Sequence, residues 1–223
     1  CIMAAHSRII KLAALQNMPE TPRTTVVAAI VQQGLMWVAH SGDSRCYHFR
    51  DGHVLWRTRD HSKVQHLIDT GKITSAAAAM NHPERNRLIN CVGAEVPPIV
   101  EHAMPVPLHE NDTILMCTDG VWGVVNDADT CLLLKQADIS HAIPQLVERA
   151  HIAGGACWPR PKRSMPSGLC CSRFPSFSKV ANPSCSRSSS SCYFSEFALR
   201  PKGHHICVIV FFRVTQCPAI RAF

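Results

Sequence analysis

At 223 residues the chain has room for one large domain, or for a domain with an appendage, and its formal net charge of +7 rests on 23 Lys and Arg against 16 Asp and Glu. The excess is confined to the end: through Ala156 acidic residues slightly outnumber basic ones, and from Cys157 onward Glu196 is the only acid. A nucleic-acid function drawn from net charge would therefore describe the last third alone, and no apolar run approaches the roughly 18 residues needed to cross a bilayer.

The sequence opens on Cys1 rather than Met and enters a helical pattern without a capping residue, as though starting inside an element. Ile2, Ala5, Ile9, Leu12 and Ala13 form one stripe, with Arg8, Lys11 and Gln16 off it, which predicts an amphipathic helix over 2–16 closed by Pro19 and Pro22. Residues 24–31, TTVVAAIV, are β-branched and apolar, as a strand covered on both faces would be. Gly34 turns the chain into a second strand over 35–40. The GDSR run at 42–45 then interrupts the ladder, CYHFR at 46–50 continues it, and Asp51-Gly52 makes a hairpin into HVLWRT. These are four short antiparallel strands.

Ser62 or Asp60 caps a helix with Val64, Leu67 and Ile68 as its stripe and Gly71 as its stop. An alanine-rich helix over 74–81 follows, broken by His82-Pro83, and strands are predicted over 88–92 and 99–104. The helical insertion between strands, about 60–93, reads as a flap over one end of the sheet. After the strand TILMC come three helices, at 121–125, at 127–135 capped by Asn126, and at 140–150 with Ile143, Leu146, Val147 and Ala150 buried. Gly154-Gly155 ends the patterned part. Residues 156–223 are basic and rich in Ser and Cys, with no sustained period, and are expected to have little order. Within them ICVIVFF at 206–212 either adds a strand to the sheet or, unpaired, drives aggregation. Cys1, Cys46, Cys91, Cys117 and Cys131 form no CxxC pair and fit small buried residues of a reducing compartment.

The strongest chemistry is in NDTILMCTDGVWGVV, 111–125. A buried strand ends there in Thr118-Asp119-Gly120, placing the Asp119 carboxylate at a strand's carboxyl end beside a residue that lets backbone curve round a ligand. Such a carboxylate suits a hard divalent cation. The same three residues also describe an ordinary strand-to-helix turn with Asp119 as cap.

Together RTTVVAAIV, HSGDSRCYHFRDG, DHSKVQHLIDTGKIT with NHPERNRLINCVG, and NDTILMCTDGVWGVV resemble the type 2C (PPM) metal-dependent protein serine/threonine phosphatases in their compact bacterial form, over about residues 1–155. The resemblance implies an α+β fold, a four-layer αββα sandwich of two antiparallel sheets, here expected to be incomplete at both ends. It implies Mn²⁺ or Mg²⁺, two or three ions in the complete site, activating a water against phosphoserine or phosphothreonine. Asp119 matches the metal-binding Asp of the Thr-Asp-Gly motif, and Asp43 the Asp of GDSR at an additional, weaker metal position. Arg45 is read as structural, a guanidinium paired with a carboxylate. The family's opening phosphate-binding Arg and its Asp-Gly-Met-Gly-Gly motif are absent, and no Asp follows Asp138 where a Gly-Gly-x-Asp-Asn segment is expected. Asp119 is then what remains of the carboxylates that hold the catalytic pair. A shifted reading frame from about Ala156 would account for the abrupt change there.

Two functions stay open on these residues: a phosphatase fragment of impaired activity, and a catalytically dead module that binds phosphoproteins or a Ser/Thr kinase. Either is expected to be a cytoplasmic monomer without nucleic-acid or membrane partners. Zinc is disfavoured because HHIC at 204–207 and Cys46 with His48 offer two ligands each with no second pair at structural spacing. Ser41 and Ser44 near His40 lack a nucleophile-elbow motif.

Overall fold

The computed structural model describes residues 1–136, 138–154, 169–173, 194–199 and 206–215. In chain order these form α1 (Ile2–Leu15), β1 (Arg23–Gln32), β2 (Leu35–Ser41), β3 (Arg45–Arg50), β4 (His53–Arg57), α2 (Lys63–Asp69), α3 (Ala76–Met80), β5 (Glu101–His102), β6 (Val106–Pro107), β7 (Thr113–Cys117), α4 (Asp119–Trp122), α5 (Asp127–Gln136), α6 (Ile139–Ile152), β8 (Leu169–Arg173), β9 (Phe194–Leu199) and β10 (Ile206–Thr215). The strands make two antiparallel sheets. One runs β5-β2-β1-β10-β9, with β6 also paired to β2, and the other runs β4-β3-β7-β8.

The apolar pattern explains how the sheets stack. Alternate residues of β1 and β2, namely Val27, Ala29, Val31, Met36 and Val38, meet Cys46, Ile114 and Met116 of the second sheet in one buried cluster. The opposite face of that sheet, Tyr47, Phe49, Leu115 and Cys117, packs on Val121, Leu133, Ala142, Ile143, Leu146 and Ala150 from α4, α5 and α6. β7 is thus covered on both sides, and all five of its residues are buried, as its unbroken apolar run requires. Helix α1 is pinned by buried His6, whose Nδ1 accepts the Gly93 N–H at 3.2 Å. Leu12, placed on the stripe by periodicity, is 44% exposed, so the docked face is centred on His6 and Ala13 instead.

Several expectations are corrected. β2 and β3 do not share a ladder: GDSR carries the chain from one sheet to the other, which periodicity cannot show because both strands alternate alike. Residues 88–92 make two isolated bridges, Ser62 to Leu88 and Thr24 to Val92, rather than a strand, and the strand over 99–104 shrinks to Glu101–His102 beside exposed Ile99 and Met104. Of the two readings of ICVIVFF, the added strand is the one found: β10 lies along β1 in register from Arg23–Thr215 to Val31–Cys207. Within the tail the described residues form β8, β9 and β10, which pair with β7, with β10 and with β1. The expectation of little order after 156 otherwise lies outside the described residues.

One buried charge fixes the second sheet. The Asp112 side chain is fully buried and accepts from Arg50 Nε at 2.7 Å and Nη2 at 2.8 Å, from His48 Nε2 at 2.7 Å and from the His109 N–H at 2.7 Å. These bonds tie the turn before β7 to two alternate residues of β3 and so hold the register that pairs Phe49 with Thr113. Burial alone would push the Asp112 carboxyl up. The Arg50 guanidinium, the His109 N–H and His48 outweigh it and hold it down at about 2, against an ordinary value of 3.8. Since the folded value is the lower one, the carboxylate's stabilisation is complete above the ordinary value and is lost as pH falls through about 2. Asp112→Asn, which leaves the Arg50 and His48 donors facing an amide, is expected to cost ~3–5 kcal/mol in urea unfolding at neutral pH and to flatten the acid limb of the stability curve.

Candidate metal centre

The β3–β7 ladder ends at the rung pairing Arg45 with Cys117. Just before Arg45 lies the turn Gly42-Asp43-Ser44, and just after Cys117 comes Thr118-Asp119-Gly120. Because the strands are antiparallel, both segments leave the ladder at the same end. Trp122 ties them together, donating its indole N–H to the Asp43 carbonyl at 3.0 Å. Asp43 is 7% exposed. Asp119 is half-buried, with Oδ1 closed off from solvent. Burial pushes the Cys91 thiol up, Arg23 pulls it the other way, and the Asp43 charge adds to the rise.

Asp119 is not the helix cap. Thr118 holds the N-cap position of α4, without a side-chain bond, and Asp119 is the first helical residue. Gly123 lets this short helix close, since a Cβ there would stand 2.4 Å from the Asp119 carbonyl oxygen.

Gly42 is more constrained still. Its φ is +113°, and a Cβ would lie 2.4 Å from Thr25 Cγ2 and 2.6 Å from Thr25 Cβ. The turn is seated directly on β1 and secured by a 2.7 Å bond between Thr25 Oγ1 and Ser44 Oγ. Ser44 is committed to that bond and Ser41 is fully buried, so neither is placed to act as a nucleophile.

Arg45 is structural, as expected. Its Nε and Nη2 donate to the two oxygens of Asp60 at 2.8 and 2.7 Å, Nη1 donates to Tyr47 Oη at 2.8 Å, and the guanidinium lies 3.5 Å over the Trp122 ring. Burial alone would lower its pKa, but Asp60 outweighs burial and raises it, so Arg45 keeps its charge. Sequence reasoning offered Asp60 as a cap, whereas Asp60 and Trp122 hold Arg45 between them at the end of the ladder. Ser62 is the cap, accepting from the Gln65 N–H at 3.1 Å.

A second group went unread. His40, His61 and Glu101 bring one ligand atom each within 4.8 Å of one another. They do not fit an ion. A metal binds in the plane of an imidazole, and these two rings are stacked, centroids 4.6 Å apart and 21° between planes, so their in-plane lone pairs do not converge. His40 Nε2 also donates to the Arg59 carbonyl at 2.8 Å. Of the zinc candidates, His48 is held by Asp112, while HHIC lies largely outside the described residues.

No protein-family model matches the chain. The serine/threonine phosphatase stp of Listeria innocua is 37% identical over 133 residues, 59% of this chain and 52% of that protein. A putative protein phosphatase 2C-type of Streptococcus pyogenes is 30% identical over 156 residues, 69% of this chain and 62% of that protein. The PPM Ser-Thr phosphatase MsPP of Mycobacterium smegmatis, solved in complex with cacodylate, is 30% identical with a TM-score of 0.60, covering 69% of this chain and 66% of that one. In sequence and fold the chain is a relative of the type 2C serine/threonine phosphatases. The catalytic domain of PstP, solved with 2 manganese ions, shares the fold at a TM-score of 0.57 and 21% identity, covering 96% of this chain and 68% of that one. The chain spans about half the length of the Listeria relative.

The donor set suits one hard cation better than a pair. Two carboxylates near one ladder end could share a single divalent ion with waters, but a two-ion centre needs bridging carboxylates that these two segments do not supply. Gly42→Ala tests the seat of the turn. With a positive φ and a Cβ overlapping Thr25, the variant is expected to lose about 2–4 kcal/mol, read as a lower urea midpoint at unchanged m value.

Proposed function

We propose that the chain is part of a metal-dependent protein serine/threonine phosphatase and that, as it stands, it has impaired activity. The observation that supports this reading is that the segments bearing Asp43 and Asp119 leave the β3–β7 ladder at the same end and are cross-tied by Trp122. In this reading Asp43 and Asp119 hold Mn²⁺ or Mg²⁺, which when bound lowers the pKa of a water and neutralises phosphoryl charge. The chain's own residues supply position. Thr25 and Ser44 fix the turn that bears Asp43, and Arg45 with Trp122 fixes its distance from the helix that bears Asp119. The unit that carries the site is residues 1–155, with 60–93 as a flap over the end of the sheet. Substrates are phosphoserine or phosphothreonine proteins in a cytoplasmic signalling setting, with a Ser/Thr kinase as counterpart, and the chain acts as a monomer.

One observation favours a second reading, a binding module without catalysis: Gly154-Gly155 is followed by Ala-Cys-Trp-Pro rather than by an Asp-Asn pair. Mn²⁺ titration and phosphopeptide hydrolysis separate the two readings. We expect Mn²⁺ binding on the order of millimolar, as few charged ligands give. Asp43→Asn or Asp119→Asn should weaken it, and hydrolysis should be negligible. Brisk turnover abolished by EDTA and by Asp119→Asn would overturn both the impairment and the second reading. Mn²⁺ binding indifferent to both substitutions would overturn the metal assignment.

A further inference from the structure

We propose that His61 is a positioning residue that locks the Gly42–Asp43 turn to the root of the 60–93 segment and so sets where the Asp43 carboxylate stands. This rests on the metal-centre reading above. Both backbone groups of Gly42 are taken by His61: the His61 N–H donates to the Gly42 carbonyl at 3.0 Å, and the Gly42 N–H donates to His61 Nδ1 at 3.2 Å. Gly42 immediately precedes Asp43 and cannot shift toward β1, where Thr25 blocks it. The turn is therefore gripped from two sides, by a strand and by one side chain.

The imidazole is itself held in one tautomer. Asn90 Oδ1 accepts the Ile99 N–H at 3.0 Å and its Nδ2 donates to the Ile99 carbonyl at 2.7 Å, which fixes which end of the amide is which. The Asn90 Nδ2 facing His61 Nδ1 at 2.6 Å is thus a donor. With two N–H groups aimed at it, Nδ1 must be bare, and the ring proton sits on Nε2. That proton is donated to Glu101 Oε2 at 3.0 Å. His40 stacks on the ring and stops it from turning over.

The clamp reaches the rest of the segment through its backbone. The Ile89 N–H donates to the His61 carbonyl at 3.0 Å and the Lys63 N–H to the Arg87 carbonyl at 2.8 Å, so the outgoing and returning stretches of the segment are joined at His61. A displacement of the segment's root must then pull on Gly42, and with it on Asp43.

Two variants split the clamp from simple packing. Glutamine places a polar group near the Nε2 position and removes the Nδ1 acceptor. Asparagine places its Oδ1 near Nδ1 and gives up the Glu101 bond. In His61→Gln the Gly42 amide should exchange about tenfold faster, the loss of one ordinary hydrogen bond, and Mn²⁺ binding should weaken. In His61→Asn both should stay within about twofold of wild type. Equal changes in the two variants, or none in either, would overturn the clamp. The ¹⁵N shifts of His61 in the wild-type chain give a test that needs no variant: bare Nδ1 and protonated Nε2 support the clamp, and the opposite tautomer overturns it. Asp43→Asn is the control for the underlying reading. If it leaves Mn²⁺ binding unchanged, the metal assignment fails, while amide exchange and tautomer still decide the clamp.

Discussion

Between Ser41 and Arg45 the chain must leave one sheet and enter the other, and it has three residues in which to do so. Most of the molecule depends on that crossing. It succeeds because Gly42 takes a φ of +113° with its α-carbon against Thr25, a contact no side chain would allow. From there Arg45 begins β3 opposite the last residue of β7, so the crossing also sets which end of the second sheet faces the turn. A longer connection would have let the sheets slide relative to each other. With this one, the cluster joining Val27, Ala29 and Val38 to Cys46, Ile114 and Met116 has a single way to close.

Several charged residues near the crossing serve to build the structure. Arg45 spends its donors on Asp60 and Tyr47, and its flat face on Trp122. A lysine could not make both bonds to Asp60 and stack at once. The consequence is electrical as well as mechanical. The cation nearest Asp43 in sequence is already matched by the buried carboxylate of Asp60. Asp112 works in the reverse sense: its charge is consumed by Arg50 and His48, and it serves register alone.

Much of this was legible in the sequence because the informative residues are local. TTVVAAIV, TILMC and the Asp51-Gly52 hairpin announce themselves by period and turn chemistry, and Ser62, Gly71 and Asn126 mark helix ends where the structure has them. Arg45 was legible as a pairing residue, though its partner was not. What escaped is what depends on residues meeting from afar. The assignment of β2 and β3 to different sheets, the Asp60–Arg45–Trp122 stack, and His61 against Gly42 each join residues whose sequence separation carries no periodic signal. The histidines of HSGDSR and DHS were visible as letters. Nothing local says that one stacks on the other.

The pairing of ladder end and carboxylate also explains why the candidate centre is a poor place for two ions. An antiparallel ladder delivers one residue from each strand to a given edge, so GDSR and TDG together supply two carboxylates and no more. Further oxygen ligands must come from segments that approach the same edge from elsewhere. Several of the chain's other acids are committed elsewhere: Asp60 to Arg45, Asp112 to Arg50, Glu101 to His61 and Asp138 to the start of α6. A second hard cation beside the first would raise the local charge by two without a carboxylate to bridge them, and mutual repulsion at the ~3.5–4 Å spacing of a two-ion centre is severe without one. In the proposed reading this edge of the sheet would accept one cation, between a helix start and a turn whose φ of +113° glycine alone fits.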